Sequence, residues 1–523
     1  MSFIFRKEPN PRPWSLDFHI KRMKKEGFVK PYYEPSPEYQ LVKMLLAYPK
    51  GFGDYYYMKT SEYVSLLTTV ARDVAEDRGW DFVKELSLLS RKEGLVKDPP
   101  LVVGELFPAR SMIVDLLSEY PLNKIYLYAL IARKKAIPVT WGRMKKKAIE
   151  EVLNSKPVDW LEFQAIKYRN YMYWILKNIH PKPANEDISR VYGWVVGKRE
   201  PPSDRARVAD LIVKGSLKGN EALVKAIEHR LPWEVIRSNV SIDKLDESLF
   251  RDAVRKIFTA HDIAMQLSTI ATKIGISETR NIIRERMRYI PLAPLYRAIT
   301  GILRSARYSD ELKMFARELD VLLINRSLEV MNRLKSAIKD LAVSKVFALI
   351  DVSGSMSGWR IQSVIEILAP IYRLVNRYYV FKTSYFAQTV IQEVDIQTID
   401  DVVGLLALPE GGTPLWDALV HVGKIAKSED AMLIVFTDEQ ENVSTNMPAT
   451  VESVLKNVPT IVIDPAPYPT DFIPKERGKV VGLPGSDINA VLAGLRIQQI
   501  NQLKQTAGRV DIDELRKLKL VSI

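Results

Sequence analysis

The 523-residue sequence contains no cysteine and only five histidines. Disulfide bonds and thiolate metal sites are therefore excluded, which fits a reducing compartment or a source that grows at high temperature. No run of eighteen apolar residues is present, and the N-terminus lacks the apolar stretch of a signal peptide. The sequence also lacks a Gly-x-x-x-x-Gly-Lys phosphate loop and a cluster of zinc ligands. We therefore predict a cytoplasmic protein that is not an enzyme and does not enter membranes.

Positive charge is concentrated in the first two thirds of the chain. Residues 341–523 carry 17 Lys and Arg against 21 Asp and Glu, which leaves 59 against 42 for residues 1–340. A basic domain of this kind favours a polyanionic partner, because the phosphates that it neutralises release their counterions. The alternative is an ordinary lysine-rich solvated surface, which thermophilic proteins often carry.

The basic part of the chain has the apolar spacing of helices almost throughout. Pairs such as Pro99-Pro100 and Pro201-Pro202 separate the helical segments. Helices of ten to twenty residues with short connections predict a stacked array of helical hairpins, although the spacing is too irregular to define a repeat. The clearest helical segments are residues 61–77, 141–154, 160–179, 246–259 and 309–340.

Oxygen-bearing side chains follow two apolar runs in the C-terminal part. Residues 346–350 lead into Asp351, Ser353 and Ser355, and the run 432–437 ends at Asp438. Thr413 stands in a Gly-Gly-Thr-Pro turn before a predicted helix, 415–425. Because ligands of open α/β sheets gather at the carboxyl ends of the strands, we expect these side chains to converge. Their oxygens suit a hard divalent cation, and we predict Mg²⁺ as the cofactor.

An alternative interpretation is that Asp351 and Asp438 cap the following helices while the serines satisfy turn amides. The complete pattern, however, resembles the von Willebrand factor A domain and its metal-ion-dependent adhesion site. The resemblance implies that one metal is held and that its remaining position takes an acidic group from a partner. No nucleophile and base flank these residues in the sequence, so binding is expected here rather than catalysis.

Basic and aromatic residues alternate between positions 167 and 182. Cations follow phosphates and flat rings stack on exposed bases, so this mixture suits RNA ends or loops. Aromatic residues at helical spacing are more often part of a core, and at least half of these are assigned to packing.

Five segments resemble, in order, the TROVE module, which is named for telomerase, Ro and vault proteins. Two of them are Trp-Gly-Arg-Met-Lys-Lys-Lys-Ala-Ile at 141–149 and the His-x-Lys-Pro stretch at 175–183, and the weight of the resemblance comes from the order of all five together with the A domain. The similarity continues into the A domain, where Phe-Thr-Asp-Glu-Gln-Glu at 436–441 resembles a Ro motif and 482–495 resembles the closing helix. The remaining TROVE-like segments are 82–100, 227–231 and 290–297.

The resemblance to Ro proteins implies an architecture and a function. It implies α + α/β architecture, a ring of HEAT-like helical repeats followed by a doubly wound, Rossmann-like von Willebrand A domain. The expected divisions are an arm over 1–40, helical repeats over 41–340 and the A domain over 341–523. The implied partners are small structured, Y-like noncoding RNAs and the 3′ ends of misfolded RNAs. The RNA-binding residues implied by position are Arg143, Lys146, Lys147, Lys167, Lys177, His180 and Lys182.

Further expectations accompany this assignment. The protein is expected to be a monomer, with an exoribonuclease or another protein at the metal site. His180 has an alternative interpretation as a buried, neutral residue in a helix-ending turn. Tyr171, Met172 and Tyr173 stand where the family places polar and basic residues, which implies rearranged or weaker RNA contacts there. The alternative function is an A-domain adaptor that works with a MoxR-type ATPase through metal-dependent protein binding.

Overall fold

The structure of the protein is a computed structural model. It describes residues 36–46, 60–92, 99–133, 142–329, 332, 343–384, 388–439, 441, 443–465, 479–484, 488, 490, 491, 494, 495, 497 and 498.

Where the part of the chain before residue 330 is described, it consists of helices and their connections and contains no strand. Its helices, numbered in chain order, are α1 (Pro37–Leu46), α2 (Thr60–Arg78), α3 (Trp80–Lys92), α4 (Pro99–Gly104), α5 (Arg110–Ser118), α6 (Leu122–Arg133), α7 (Arg143–Asn154), α8 (Val158–Lys167), α9 (Arg169–Ile179), α10 (Glu186–Val195), α11 (Asp204–Val213), α12 (Gly219–Glu228), α13 (Trp233–Asn239), α14 (Glu247–Lys256), α15 (Ala260–Met265), α16 (Leu267–Ile274), α17 (Ile276–Arg286), α18 (Leu292–Arg304) and α19 (Asp310–Leu322).

Most of the helices expected from apolar spacing are present, but the segment 160–179 is two helices instead of one. Tyr168 interrupts it with φ −129° and ψ 42°, outside the helical region. Ion pairs hold both flanking residues, Lys167 to Glu234 and Arg169 to Asp210. The break therefore depends on contacts with distant helices, which the local spacing does not encode.

The helices pack on partners a few elements away in the chain. Helix α5 contacts α7, α6 contacts α9, α8 contacts α10, and α12 contacts α14. This short-range pairing is typical of stacked helical repeats. Beneath it lies a buried ion pair between Lys145 of α7 and Glu105, which follows α4. The ammonium and carboxylate are 2.5 Å apart, and each residue is only 2% exposed.

The C-terminal part forms a mixed six-stranded sheet in the order β3-β2-β1-β4-β5-β6. All neighbouring strands are parallel except β3, which runs antiparallel to β2. The elements are β1 (Lys345–Asp351), α20 (Trp359–Leu368), β2 (Arg377–Thr383), β3 (Thr389–Val394), α21 (Ile399–Gly404), α22 (Leu415–Ser428), β4 (Ala431–Phe436), α23 (Pro448–Leu455), β5 (Thr460–Asp464) and β6 (Val480–Pro484).

Both faces of this sheet are covered. Phe347 and Leu349 of β1 pack in one core with α22 and α23. Ala348 and Ile350 project to the opposite face, because side chains alternate along a strand, and they are fully buried as well. Continuous apolar strands of this kind are expected in a sheet with helices on both sides.

Contacts divide the chain into two compact units. One is Leu101–Val321, and the other contains the described residues of Met1–Pro100 and Leu322–Ile523. The expected arm, 1–40, lies almost wholly outside the described residues, as does position 340, so the expected boundaries and the closure into a ring stay predictions. Among the helices that are described, none is both long enough and apolar enough to cross a bilayer.

Candidate functional site

The five predicted metal ligands lie at the carboxyl edge of the sheet. Strands β1 and β4 are parallel neighbours with Ile350 opposite Phe436, so the segments that follow them leave the same edge side by side. Asp351 is fully buried. Its Oδ1 accepts a hydrogen bond from the backbone N–H of Ser353 (2.8 Å), and its Oδ2 accepts one from the Thr437 hydroxyl (2.7 Å). The carboxylate is thereby fixed in one orientation.

The two predicted serines connect the carboxylates to each other. The hydroxyl oxygens of Ser353 and Ser355 are 2.9 Å apart, and the Ser355 hydroxyl donates to Oδ1 of Asp438 at 3.3 Å. Ser353 and Asp438 are buried, whereas Ser355 is only half-buried. The oxygen cluster is therefore buried at Ser353 and Asp438 and accessible to solvent at Ser355.

A glycine turn attaches the Thr413 segment to the same edge. The backbone N–H of Gly354 donates to the Gly411 carbonyl at 2.9 Å, and the Gly412 N–H donates to the Thr383 hydroxyl at 2.6 Å. Gly411 has φ +73°, and a Cβ there would stand 2.1 Å from the Thr383 carbonyl oxygen. Glycine is therefore required both by the backbone conformation and by the lack of space. Thr413, two residues later, is buried.

Burial, reinforced by the charge of nearby Asp438, raises the pKa of Asp351 to about 7. Two buried carboxylates that repel each other are costly unless a cation or a proton neutralises them. The donors present, two carboxylates and three hydroxyls, are the hard oxygen ligands that Mg²⁺ prefers, with water completing an octahedron. In the described part of the chain no three acidic or histidine side chains converge on one point.

Four of the predicted RNA contacts belong to, or adjoin, a single face of α7. Positions 143, 146, 147 and 150 recur at helical spacing and so share that face. Lys145 points the opposite way, into the core, although it belongs to the same run of three lysines. Arg143 is exposed, and Lys146 and Lys147 are half-buried. We call Arg143, Lys146, Lys147 and Lys182 the α7 basic face.

Lys182 joins this face through the segment after α9. Its backbone N–H donates to Glu150 at 3.0 Å, and its carbonyl accepts from the Asn154 side chain at 2.8 Å. Lys147 also binds Glu150, at 2.5 Å. Partial burial raises the pKa of Glu150, but the hydrogen bonds and charges of Lys147 and Lys182 outweigh it, so the pKa lies below its ordinary value. One carboxylate thus ties together two segments that are 32 residues apart.

His180 ends α9 in the left-handed conformation, with φ +55°. The expectation of a helix-ending turn is therefore confirmed. The expectation that this histidine is buried is wrong, because its side chain is exposed. A histidine in the left-handed region is uncommon and lets the chain reverse toward α7.

Lys167 and Lys177 have other immediate partners. The Lys167 ammonium pairs with Glu234 of α13 at 2.5 Å, and although burial lowers its pKa, that carboxylate raises it above the ordinary value. Lys177 is exposed and lies over the Tyr173 ring, 4.8 Å from its centroid. Lys167 is therefore engaged in holding α8 to α13, whereas Lys177 is presented to solvent.

An aromatic stack beside α9 was not predicted from sequence. Tyr126 of α6 stacks on Tyr171 at 4.5 Å and meets Trp174 edge to face at 5.2 Å. The Arg133 guanidinium lies 5.5 Å from the Trp174 centroid. Tyr126 and Arg133 are seven residues apart and so share a face of α6. This spacing was the sequence signal from which the stack could have been predicted. Tyr171, which stands where the family places polar or basic residues, therefore packs against another aromatic ring in this chain.

The chain was compared with protein-family models, curated proteins and solved structures. No family model matches the chain. The chain is 26% identical over 247 residues to the RNA-binding protein RO60 of Deinococcus radiodurans, an alignment that covers 44% of this chain and 45% of that protein. The chain thus spans less than half of the length of this curated relative.

The fold resembles that of the Deinococcus radiodurans RO (RSR) protein in its crystal structure. The TM-score is 0.63 at 15% identity, and the superposition covers 89% of this chain and 99% of the other. The chain therefore shares the fold of this solved Ro protein. Its helical repeats precede the mixed sheet, as the resemblance in sequence implied.

Proposed function

We propose that this Ro-like chain is an RNA-binding protein that takes small structured noncoding RNAs and the 3′ ends of misfolded RNAs, as a scaffold in RNA quality control. The name of its Deinococcus relative supports RNA as the ligand. The excess of basic residues before position 341 supports a polyanionic partner independently.

The observation that carries this proposal is the α7 basic face. Two separate sequence motifs meet there, because Glu150 binds both the Lys147 side chain and the Lys182 backbone. The cationic heads lie on an exposed or half-buried surface, where they can follow a phosphate backbone.

The test is RNA affinity as a function of salt. The probe is an RNA hairpin with a single-stranded 3′ end. Reversing two charges on the α7 basic face with Lys146→Glu and Lys147→Glu is expected to weaken binding by roughly tenfold or more and to reduce the salt slope by about 1 per lysine. Lys214→Glu with Lys218→Glu is the matched control, because both lysines are exposed and the change in net charge is equal.

Equal loss of affinity in the two double variants would refute the assignment of this face and leave only a general charge effect. Purification that yields a MoxR-type ATPase and no RNA would instead favour the adaptor function. Both outcomes are read from the same nuclease-free preparation of the full chain.

We further propose that Asp351, Ser353, Ser355, Thr413 and Asp438 hold Mg²⁺ and present it to an acidic group of a protein partner, such as an exoribonuclease. The hydrogen-bonded oxygen cluster and the raised pKa of Asp351 support this. When bound, the ion would supply a positive charge and an open coordination position. The residues themselves orient the carboxylates and shield them from water at the base of the sheet.

A further inference from the structure

A polar cavity of about 350 Å³ lies far along the chain from the α7 basic face, between a 3₁₀ turn, α16 and the segment that precedes α19. The cavity is shallow and open to solvent, since its lining residues are exposed or half-buried. Nearly every lining side chain is polar. The lining residues are Ile242, Asp243, Ser268, Thr269, Thr272, Lys273 and Tyr308.

Three hydroxyls line one wall of this cavity. Ser268 and Thr272 are one turn apart on α16, and Thr269 lies beside them, so all three belong to one helical face. Threonine in a helix commonly bonds the carbonyl four residues earlier. Within 142–329, where every residue is described, the hydroxyls of Thr269 and Thr272 form no hydrogen bond. Both threonines are exposed, so their hydroxyls face solvent, where a ligand can reach them.

Two cations accompany these hydroxyls. The Lys273 ammonium donates to the Asp243 carbonyl at 3.0 Å, which uses one of its three hydrogens and leaves two. The neighbouring Arg307 guanidinium lies 4.7 Å from the Tyr308 ring centroid and donates to the Tyr308 hydroxyl at 2.6 Å. An ammonium beside several hydroxyls matches the acceptor oxygens of a phosphate group.

The remaining lining groups suit more than a bare phosphate. The Asp243 carboxylate is exposed and can accept hydrogen bonds from a ribose diol, as acidic residues do in dinucleotide sites. Tyr308 is half-buried, and a base can stack on the face of its ring that Arg307 does not cover. Cation, hydroxyls, carboxylate and ring therefore correspond to the phosphate, ribose and base of a nucleotide.

We propose that this cavity is a binding site for a nucleoside monophosphate, separate from the α7 basic face. The nucleotide is either free or the 5′-phosphorylated end of an RNA chain, since both present the same phosphate, ribose and base. The site requires no metal and involves no bond making or breaking.

The test is calorimetric titration of the full chain with AMP, adenosine and inorganic phosphate. AMP is expected to bind more tightly than either fragment. Thr269→Val with Thr272→Val removes two hydroxyls at nearly constant shape and should weaken AMP binding about tenfold. Lys273→Met should also weaken it, whereas Lys214→Met, an exposed lysine on α11's C-terminal side, should leave it unchanged.

The source of the nucleotide is distinguished by competition. Displacement of AMP by a short RNA with a 5′-phosphate, but not by the same RNA without it, identifies the RNA end; displacement by neither identifies the free nucleotide. Absence of AMP binding, or AMP affinity that the threonine variants leave intact, overturns the proposal. The Lys146→Glu, Lys147→Glu protein should still bind AMP. The proposal for this cavity and the proposal for the α7 basic face can therefore be refuted independently of each other.

Discussion

Three consecutive lysines on α7 are expected to respond very differently to substitution. Lys145 is buried against Glu105, whereas Lys146 and Lys147 lie on the α7 basic face. Lys145→Ala would leave the Glu105 carboxylate buried without its counter-charge. Removing one partner of a buried ion pair costs about 3–5 kcal/mol. Lys146→Ala should change the free energy of unfolding by no more than about 0.5 kcal/mol.

The assay is urea and thermal unfolding of the full chain, followed at the transition of the unit Leu101–Val321. For a unit of this size each kcal/mol shifts Tm by about 2–4 °C, so Lys145→Ala should lower Tm by roughly 6–20 °C. Glu105→Leu combined with Lys145→Met replaces the pair by apolar groups and should recover most of the loss. RNA affinity at low temperature should follow the opposite order, with Lys146→Ala the more damaging variant.

The loss of stability caused by Lys145→Ala should also depend on pH. Burial raises the pKa of Glu105 even with Lys145 present, and without that lysine the pKa rises further. At a pH below the pKa of an unfolded glutamate, about 4.3, the carboxyl is protonated in both states and the penalty is small. The penalty grows as the pH rises, because only the unfolded chain ionises freely. Equal stability of Lys145→Ala and Lys146→Ala at pH 8 would refute this reasoning.

Three further predictions concern the sheet edge. Mg²⁺ should raise the Tm of the wild-type chain at pH 8, and Asp351→Asn should abolish both this rise and the calorimetric signal of Mg²⁺ binding; an unaltered titration would contradict the metal assignment. In EDTA, the free energy of unfolding of the wild-type chain, relative to that of Asp351→Asn, should fall as the pH rises from about 4 to about 7, because unfolded Asp351 ionises while the folded residue, whose pKa is about 7, keeps its proton; a difference that does not change with pH would contradict this. Gly411→Ala should lower the free energy of unfolding by about 1–3 kcal/mol through backbone strain, and the clash of the new Cβ with Thr383 should lower it further. Gly301→Ala is the control, because Gly301 lies in a helix with open space around its Cβ, and this change should be neutral or stabilising. Equal denaturation midpoints of the two variants would count against the turn geometry.

The convergence of the oxygen-bearing side chains at the sheet edge was predictable, because their positions are marked locally. Asp351 and Asp438 each follow an apolar run, and parallel neighbouring strands must end at the same edge. The contribution of Thr437, which holds the Asp351 carboxylate, was missed. Its position just before Asp438 was visible, but the strand register that brings it to Asp351 was not.

The sequence alone determined which residues share a face, because helical and strand periodicity are local properties of the chain. It thereby placed Arg143, Lys146 and Lys147 together and separated helices from sheet near residue 345. Only the tertiary structure decided that Lys145 is a core residue, that Lys167 is held by Glu234, and that segments 32 residues apart meet at Glu150. These three placements depend on how helices distant in sequence pack together. A buried charge is tolerated only if a partner from elsewhere in the chain reaches it.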